Sequence, residues 1–455
     1  MWMTWGGTAA RLSGLLILLP LVMTKFSVAE TALWFLFSTV LSLQTLVDFG
    51  FSATFVRFVA YSKSAKVGAA PKVNGAGYSR IPQQSNSAVI ANMRYVYTRL
   101  SAIWFILLAV VGSLAVARPI ANIDAPLIGW IAWGIIAVTS GIFFRGAMHI
   151  SYLQGMERVA LHQRWEIILG LCTTVVGCLV LVAGGGILEL TIVNQLGGLA
   201  RFFLYRNLAV KLAPARAWEK VDNSMTDKLW SAVWRSGLGV LATFGTIQLS
   251  GVVYAQLASP GKMASYLLAL QLIRRVRQFS YVPFYTRIPD MSRMYATGEH
   301  KTLVCVADKS MQLSAWVFIA LVLIIGFSGN YLLELINSST SFVAVEVWWL
   351  LALAFFFELI GATHIQLYST TNHIVWHIAN GVSGLIMLAV MPLAFSLFGV
   401  IGLPLGMLVG YACFYVPYSM MLSYRKFDIL INGKNILSMV GPVLILVILL
   451  VFQEL

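Results

Sequence analysis

Residues 341–369, SFVAVEVWWLLALAFFFELIGATHIQLYS, decide the class of this protein. A helix needs about 20 predominantly apolar residues to cross a bilayer, and this run exceeds that with only two charged side chains, Glu346 and Glu358. Outward from it, comparable runs lie near 2–23, 29–61, 89–117, 127–155, 160–184, 187–210, 229–257, 262–286, 308–329, 373–396 and 399–422, and a thirteenth span is expected over 436–452. Hydrophobic residues make up 59% of the 455, and charged residues 11%, against roughly 25% in soluble domains. No soluble fold of this length hides so much apolar surface, so the chain reads as an all-α, multi-pass membrane protein.

The net charge of +14 comes from 31 Lys+Arg against 17 Asp+Glu. In a membrane protein such a surplus sets topology and can hold an anion inside the bilayer. The connections at 62–88, 211–228 and 287–309 and the stretch after 422 are rich in Lys and Arg, whereas the connections between them are short and poor in both. The positive-inside rule then puts the basic segments and the N-terminus in the cytoplasm. Arg11 lies within the first apolar run and no small-residue cleavage site follows, so that run is expected to be retained as a span. The four cysteines form no C-x-x-C pair, and no metal site or disulfide framework is expected. The 211–228 linker divides the core into an N-terminal lobe, 1–210, and a C-terminal lobe, 229–422, with 423–455 as a tail. Six spans on either side is a common plan for transporters. Segment 287–309 reads as a surface helix.

Charges inside the membrane are costly and usually face a cavity. Most here are arginines. Arg11 falls about 13 Å along the first span, on a face shared with Thr4 and Thr8, and Arg274 about 18 Å into the eighth. Gln271, Arg274, Gln278 and Tyr281 form a polar stripe, with Arg275 and Arg277 beside it. Arg99 aligns with Asn92 and Tyr95, and Arg145 with His149. Arg57, Arg201 and Arg235 lie toward the cytoplasmic ends of their spans, where snorkelling competes with a buried role. The deep carboxylates are Asp48, on a stripe with Gln44 and Ser52, and Glu358. Two acids cannot neutralise this set. A cavity with surplus guanidinium takes an anion, and the bidentate fork suits phosphate. The expected anion ligands are therefore Arg11, Arg57, Arg99, Arg145, Arg274 and Arg277. Gln44, Asp48, Gln271, Gln278 and Tyr281 line the cavity in this reading, and Asp48 and Glu358 are candidates for ion coupling. Glu358 has an equal alternative as the partner of an arginine in the eighth span.

His373 and His377 have a metal-binding spacing but no third ligand nearby, and Asn337-Ser338-Ser339 fits a glycosylation sequon. No phosphate-binding P-loop, G-x-S-x-G or H-E-x-x-H motif is present, and no cofactor is expected.

The second span, LVDFGFSATFVRFVAYSKS (46–64), resembles the Asp-Phe-Gly…Arg segment of Wzx-type polysaccharide flippases of the MOP superfamily, which also holds MATE exporters and MurJ-type lipid II flippases. YLQGMERVALHQRWEI (152–167) and ASYLLALQLIRRVRQFSYVPFYTRIPDMSRMYATGEHKTL (264–303) are similar as well. The resemblance implies two six-helix lobes in a V around a central cavity, with the family's cavity arginines at Arg11, Arg57 and Arg274. The implied substrate is a polyprenyl-diphosphate-linked oligosaccharide, flipped outward across the inner membrane by alternating access for surface polysaccharide such as O-antigen or lipopolysaccharide. A polysaccharide polymerase and glycosyltransferases are the implied partners. The thirteenth span departs from the family's twelve. A MATE-like drug antiporter is the first rival, although such a cavity should be rich in acids. A membrane glycan polymerase or ligase is the second, although these usually carry a large external loop.

Overall fold

The computed structural model describes residues 17–66, 86–213, 241–371, 375–427 and 433–451, with single positions 233, 237 and 373. Among the described residues the regular structure is helical throughout, as hydrocarbon surroundings require: a helix satisfies its own backbone, and an open strand does not. Eight helices of the described residues, or helices joined end to end, are long and apolar enough to cross a membrane. They display large apolar side chains outward, among them Leu114 at 71% exposure and Leu127 at 73%. Such a surface fits lipid, and this is a multi-pass membrane protein.

The chain divides into two compact units, Trp2–Gly237 and Leu238–Leu455. The first contains α1 (Val28–Ser42), α2 (Gln44–Asp48), α3 (Phe51–Lys66), α4 (Asn86–Leu107), α5 (Ser113–Ala121), α6 (Pro126–Gly155), α7 (Val159–Val182) and α8 (Ile187–Leu212). Helix α1 starts on a capping box: the Ser27 hydroxyl accepts from the Glu30 N–H at 3.2 Å, and the Glu30 carboxylate accepts from the Ser27 N–H at 3.0 Å. Helix α6 is the hub and packs on α3, α4 and α8. A π-helical turn, Leu108–Gly112, joins α4 to α5.

The second unit contains a π-turn at Leu241–Gly245, then α9 (Thr246–Leu257), α10 (Pro260–Ser280), α11 (Val282–Tyr285), α12 (Ile288–Ala296), α13 (His300–Leu335), α14 (Val345–Ser369), α15 (Trp376–Phe398), α16 (Gly402–Gly410), a second π-turn at Tyr411–Tyr415, α17 (Val416–Phe427) and α18 (Gly433–Val451). Helix α14 carries the deciding stretch of sequence. Of its apolar window 78% is buried, against 11% for α7, so α14 is a central helix and α7 a peripheral one. Helices α10, α13, α16, α17 and α18 all pack on α14. The approach between the π-turn at 241–245 and α15 is close enough that a Cβ at Gly384 would strike the Ala242 backbone. The amphipathic segment after α10 seats Phe284 and Met291 in one apolar cluster with Leu303, Leu367 and Phe427. Residues 287–309, expected as one surface helix, are thus α12 followed by the first turns of α13. In the tail, α18 covers most of the expected 436–452 helix and packs on α13 and α14.

The second span, expected as one helix over 29–61, is instead three pieces. The sharp break falls within the Asp-Phe-Gly motif, where Phe49 (φ 53°) and Gly50 (φ 86°) are both left-handed. The Gly50 carbonyl accepts the first helical bond of α3, from the Thr54 N–H at 3.3 Å. Glycine removes the steric penalty at one of the two residues; Phe49 still bears it, at about 1–2 kcal/mol. Gly50→Val should therefore destabilise the detergent-solubilised protein by about 1–2 kcal/mol. Gly134→Ala, in open space on α6, should be neutral or slightly stabilising, by up to about 1 kcal/mol. Thermal unfolding of the two variants side by side checks this ranking.

Candidate functional site

In the second unit the site is built on α10. Its 21 residues carry Lys262, Arg274, Arg275 and Arg277, and the three arginines fall within one turn, so they point in different directions. Arg277 turns toward α14 and meets Glu358 in a two-pronged ion pair: Nη2 donates to Oε1 at 2.6 Å and Nε donates to Oε2. The Arg277 guanidinium also lies 4.9 Å from the Tyr281 ring centroid. Tyr415 is within its electrostatic reach, and Tyr411 stacks edge-on against Tyr415 at 5.6 Å. Both tyrosines belong to the π-turn between α16 and α17, whose wider winding redirects side chains from the α-helical register. The equal alternative for Glu358, an arginine of the eighth span, is what the structure contains. The expectation of Arg277 as an open anion ligand is corrected accordingly, because its fork is filled by a carboxylate.

Arg274 is different. Its Nη2 is buried and has no hydrogen-bond partner among the described residues, and its guanidinium lies 5.9 Å from the Phe244 ring centroid. Tyr266 and Tyr411 lie within its electrostatic reach. The side-chain nitrogen of Gln271 and both polar side-chain atoms of Gln248 are likewise buried with no hydrogen-bond partner among the described residues, while the Tyr266 hydroxyl has Ser250 beside it. Four buried donors and acceptors left open among the described residues of two adjacent helices mark a place where water or a polar ligand belongs. Gln278, expected to line the same cavity, is exposed, and its Oε1 accepts from Arg275 Nη1 at 3.3 Å.

In the first unit the Asp48 carboxylate accepts from the Ser52 hydroxyl at 2.7 Å, the Ser52 N–H at 3.3 Å and the Tyr97 hydroxyl at 3.2 Å. It thereby closes the exposed N-terminus of α3 across the break, where a negative charge is favoured. Its described partners are hydroxyls and an N–H, not a cation. Gln44 is half-buried one turn earlier, on α2. Arg99 is exposed, 4.2 Å over the Tyr95 ring. Arg145 is exposed on α6, and His149, one turn further, lies within electrostatic reach of both Arg145 and Arg206 of α8. These three form a basic face that the sequence reading recognised only in part, since Arg206 belongs to a different span. Arg11 and Arg235 lie outside the described residues, as does the side chain of Arg57.

One carboxylate escaped the sequence reading. Glu166 of α7 accepts from the Tyr205 hydroxyl at 2.7 Å and stands 3.7 Å from Arg201 Nε. It sits two turns into an apolar run, and that depth was the available signal.

The chain is similar to a multidrug resistance MATE family transporter of the MOP superfamily in its inward-facing conformation: TM-score 0.66, 11% identity, covering 92% of this chain and 98% of that one. It is similar to the lipid II flippase MurJ in an inward closed conformation, with a TM-score of 0.63, 13% identity and coverage of 100% and 99%. A Vibrio cholerae MATE transporter, VcmN, aligns at a TM-score of 0.59 and 13% identity over 96% of both chains. These likenesses establish the fold. No protein-family model matches the sequence, and no curated protein matches it.

A guanidinium cannot neutralise itself by losing a proton, whereas a carboxylate can by gaining one. Glu358→Leu should therefore destabilise the protein more than Arg277→Met does, by about 3–5 kcal/mol for the orphaned charge. The double variant Arg277→Met/Glu358→Leu should recover most of that loss. Unfolding midpoints of the three variants in one detergent test the order.

Proposed function

We propose that this protein is a flippase for a polyprenyl-diphosphate-linked oligosaccharide, carrying it from the cytoplasmic to the outer leaflet of the inner membrane for surface polysaccharide synthesis. The observation that carries this reading is Arg274, whose Nη2 is buried with no partner among the described residues, on a helix where Gln271 likewise keeps a buried side-chain nitrogen open and Tyr266 lies within electrostatic reach. Guanidinium is the side chain best matched to a diphosphate, and the amides and tyrosine suit sugar hydroxyls. The likeness to a lipid II flippase supports a lipid-linked cargo. The polyprenyl tail stays in lipid while the head group enters the polar site.

Arg145 with His149 and Arg206, together with Arg99, offers the head group a second cationic surface, and Arg11 and Arg57 complete the cationic set. Arg277 serves a different purpose in this reading: it holds α10 against α14 through Glu358 and so sets the position of Arg274 one turn away. The basic connections keep the N-terminus in the cytoplasm. Outward movement of a negative head group runs with an inside-negative potential, worth about 2.3 kcal/mol per charge per 100 mV. The potential can drive export, and Asp48 remains the candidate for any additional ion coupling. The polymerase and glycosyltransferases that use and make the glycan are its functional partners.

The MATE likeness favours a second reading, an exporter of small molecules. The two readings separate on charge, because a drug cation is repelled by a guanidinium whose Nη2 has no partner among the described residues. Arg274→Ala should abolish surface display of the cognate glycan while the protein still inserts at normal levels, and Arg274→Lys should restore it only in part. Glycan export at the wild-type rate in Arg274→Ala would overturn the diphosphate assignment. Overexpression should leave resistance to cationic drugs unchanged, and a rise in resistance that Arg274→Ala preserves would favour the exporter.

A further inference from the structure

A second polar site lies in the second unit, apart from the arginine cluster. A small cleft between α13, α14 and α17 is lined by Asp308, Gln312, Phe356, Thr363, His364 and Tyr424, among others. Its size suits water-sized groups, not an oligosaccharide. In a chain of net charge +14 its lining inverts the usual sign: one carboxylate, no lysine and no arginine among the described residues.

His364 is the informative member. It is 2% exposed, and its Nδ1 lies 2.8 Å from the Ser423 hydroxyl. That hydroxyl already donates its hydrogen to the Met420 carbonyl at 3.1 Å. A hydroxyl has one hydrogen to give, so toward His364 it acts as acceptor and the imidazole proton sits on Nδ1. Nε2 is then a bare lone pair, and it is buried without a partner among the described residues. Water-sized space beside a buried basic nitrogen, with a carboxylate across the same cleft, fits a proton better than a metal ion, because no cluster of three His, Cys, Asp or Glu side chains is present among the described residues.

We propose that His364 Nε2 is a proton-binding site of the second unit, reached through this cleft, with Asp308 supplying the balancing negative charge. The proton comes from water in the cleft and adds to the Nε2 lone pair. Nδ1–H keeps its bond to Ser423, and the new Nε2–H donates back to the water that supplied the proton. The other titratable groups around α14 are otherwise engaged or distant. Tyr424 of α17 stacks edge-on with His364 at 5.4 Å and lies within electrostatic reach of Asp308. Glu358 of α14 is held by Arg277 of α10, and Asp290 of α12 stands 3.5 Å from Arg287. Tyr411 and Tyr415 belong to the Arg277–Glu358 cluster. Lys309, Arg425 and Lys426 are exposed, and residues 441–451 of α18 carry no titratable side chain. The site does not depend on the identity of the cargo.

The test is nitrogen NMR of the full chain in nanodiscs with isotope-labelled histidine, titrated from about pH 8 to about pH 4. His364→Gln assigns the signal among the six histidines. Ser423→Ala, by removing the Nδ1 acceptor, assigns it independently if the first variant folds poorly. The expected result is an Nδ1–H tautomer at neutral pH that becomes imidazolium on acidification, with Asp308→Asn moving the midpoint down by about half a pH unit or more. An Nε2–H tautomer at neutral pH, the absence of any protonation over that range, or an identical titration in Asp308→Asn would each overturn the proposal. Because no transport is measured, failure here leaves the flippase reading standing, and loss of glycan export in Arg274→Ala leaves this one untouched.

Discussion

A charge carried on an apolar helix must find a partner or a wet surface, and the second unit is organised around one such settlement. Arg277 of α10 and Glu358 of α14 meet fork to carboxylate, with their side chains 24% and 18% exposed. Each needs the other, because the cost of leaving either alone in apolar surroundings is larger than the net worth of the pair. The pair fixes the rotation of α10 about its axis. Since α10 is a single helix, that rotation also decides where Arg274 points, about 300° of helical turn away. The tyrosines of the π-turn at 411–415 pack beside the pair and fill the remaining space with apolar ring and hydroxyl instead of a third charge.

The first unit solves the same problem by another route. Asp48 is deep and has no described cation beside it; the chain breaks at Phe49–Gly50 and exposes the N–H groups of α3 to its carboxylate. Ser52 and Tyr97 complete the shell, their oxygens 2.7 Å apart. An ionised or protonated carboxyl can both be accommodated there, since hydroxyls donate or accept as required. A break in a membrane helix is tolerated where its freed backbone groups are satisfied locally, as these are. The left-handed Phe49 stores conformational strain at this point, a common feature of segments that rearrange.

The unpaired groups carry the functional meaning. Arg274, Gln271 and Gln248 keep buried polar atoms without a partner among the described residues, whereas the Ser280 hydroxyl, also on α10, donates to the Val276 carbonyl at 2.7 Å. A fold shared with both a drug transporter and a lipid II flippase leaves chemistry to the site, because function resides in grafted side chains and not in architecture.

The run at 341–369, with the apolar segments around it, determined by itself that the chain is helical and crosses a membrane, because hydrocarbon admits no other open structure. The surplus of arginine over acid was equally legible, as was the position of Arg274 and Glu358 along their helices, since that follows directly from residue number. Rotation about the helix axis and the choice among neighbouring helices did not follow. The residue separation of 81 between Arg277 and Glu358 appears in no local pattern, and three arginines on one turn gave no sign of which would be paired and which left open. The break inside Asp-Phe-Gly was hidden because an apolar run masks backbone reversal. His364 drew no notice in sequence because its character depends on Ser423, 59 residues away, whose single hydrogen is already committed. Partners distant in sequence are chosen by packing, and only the tertiary structure decides them.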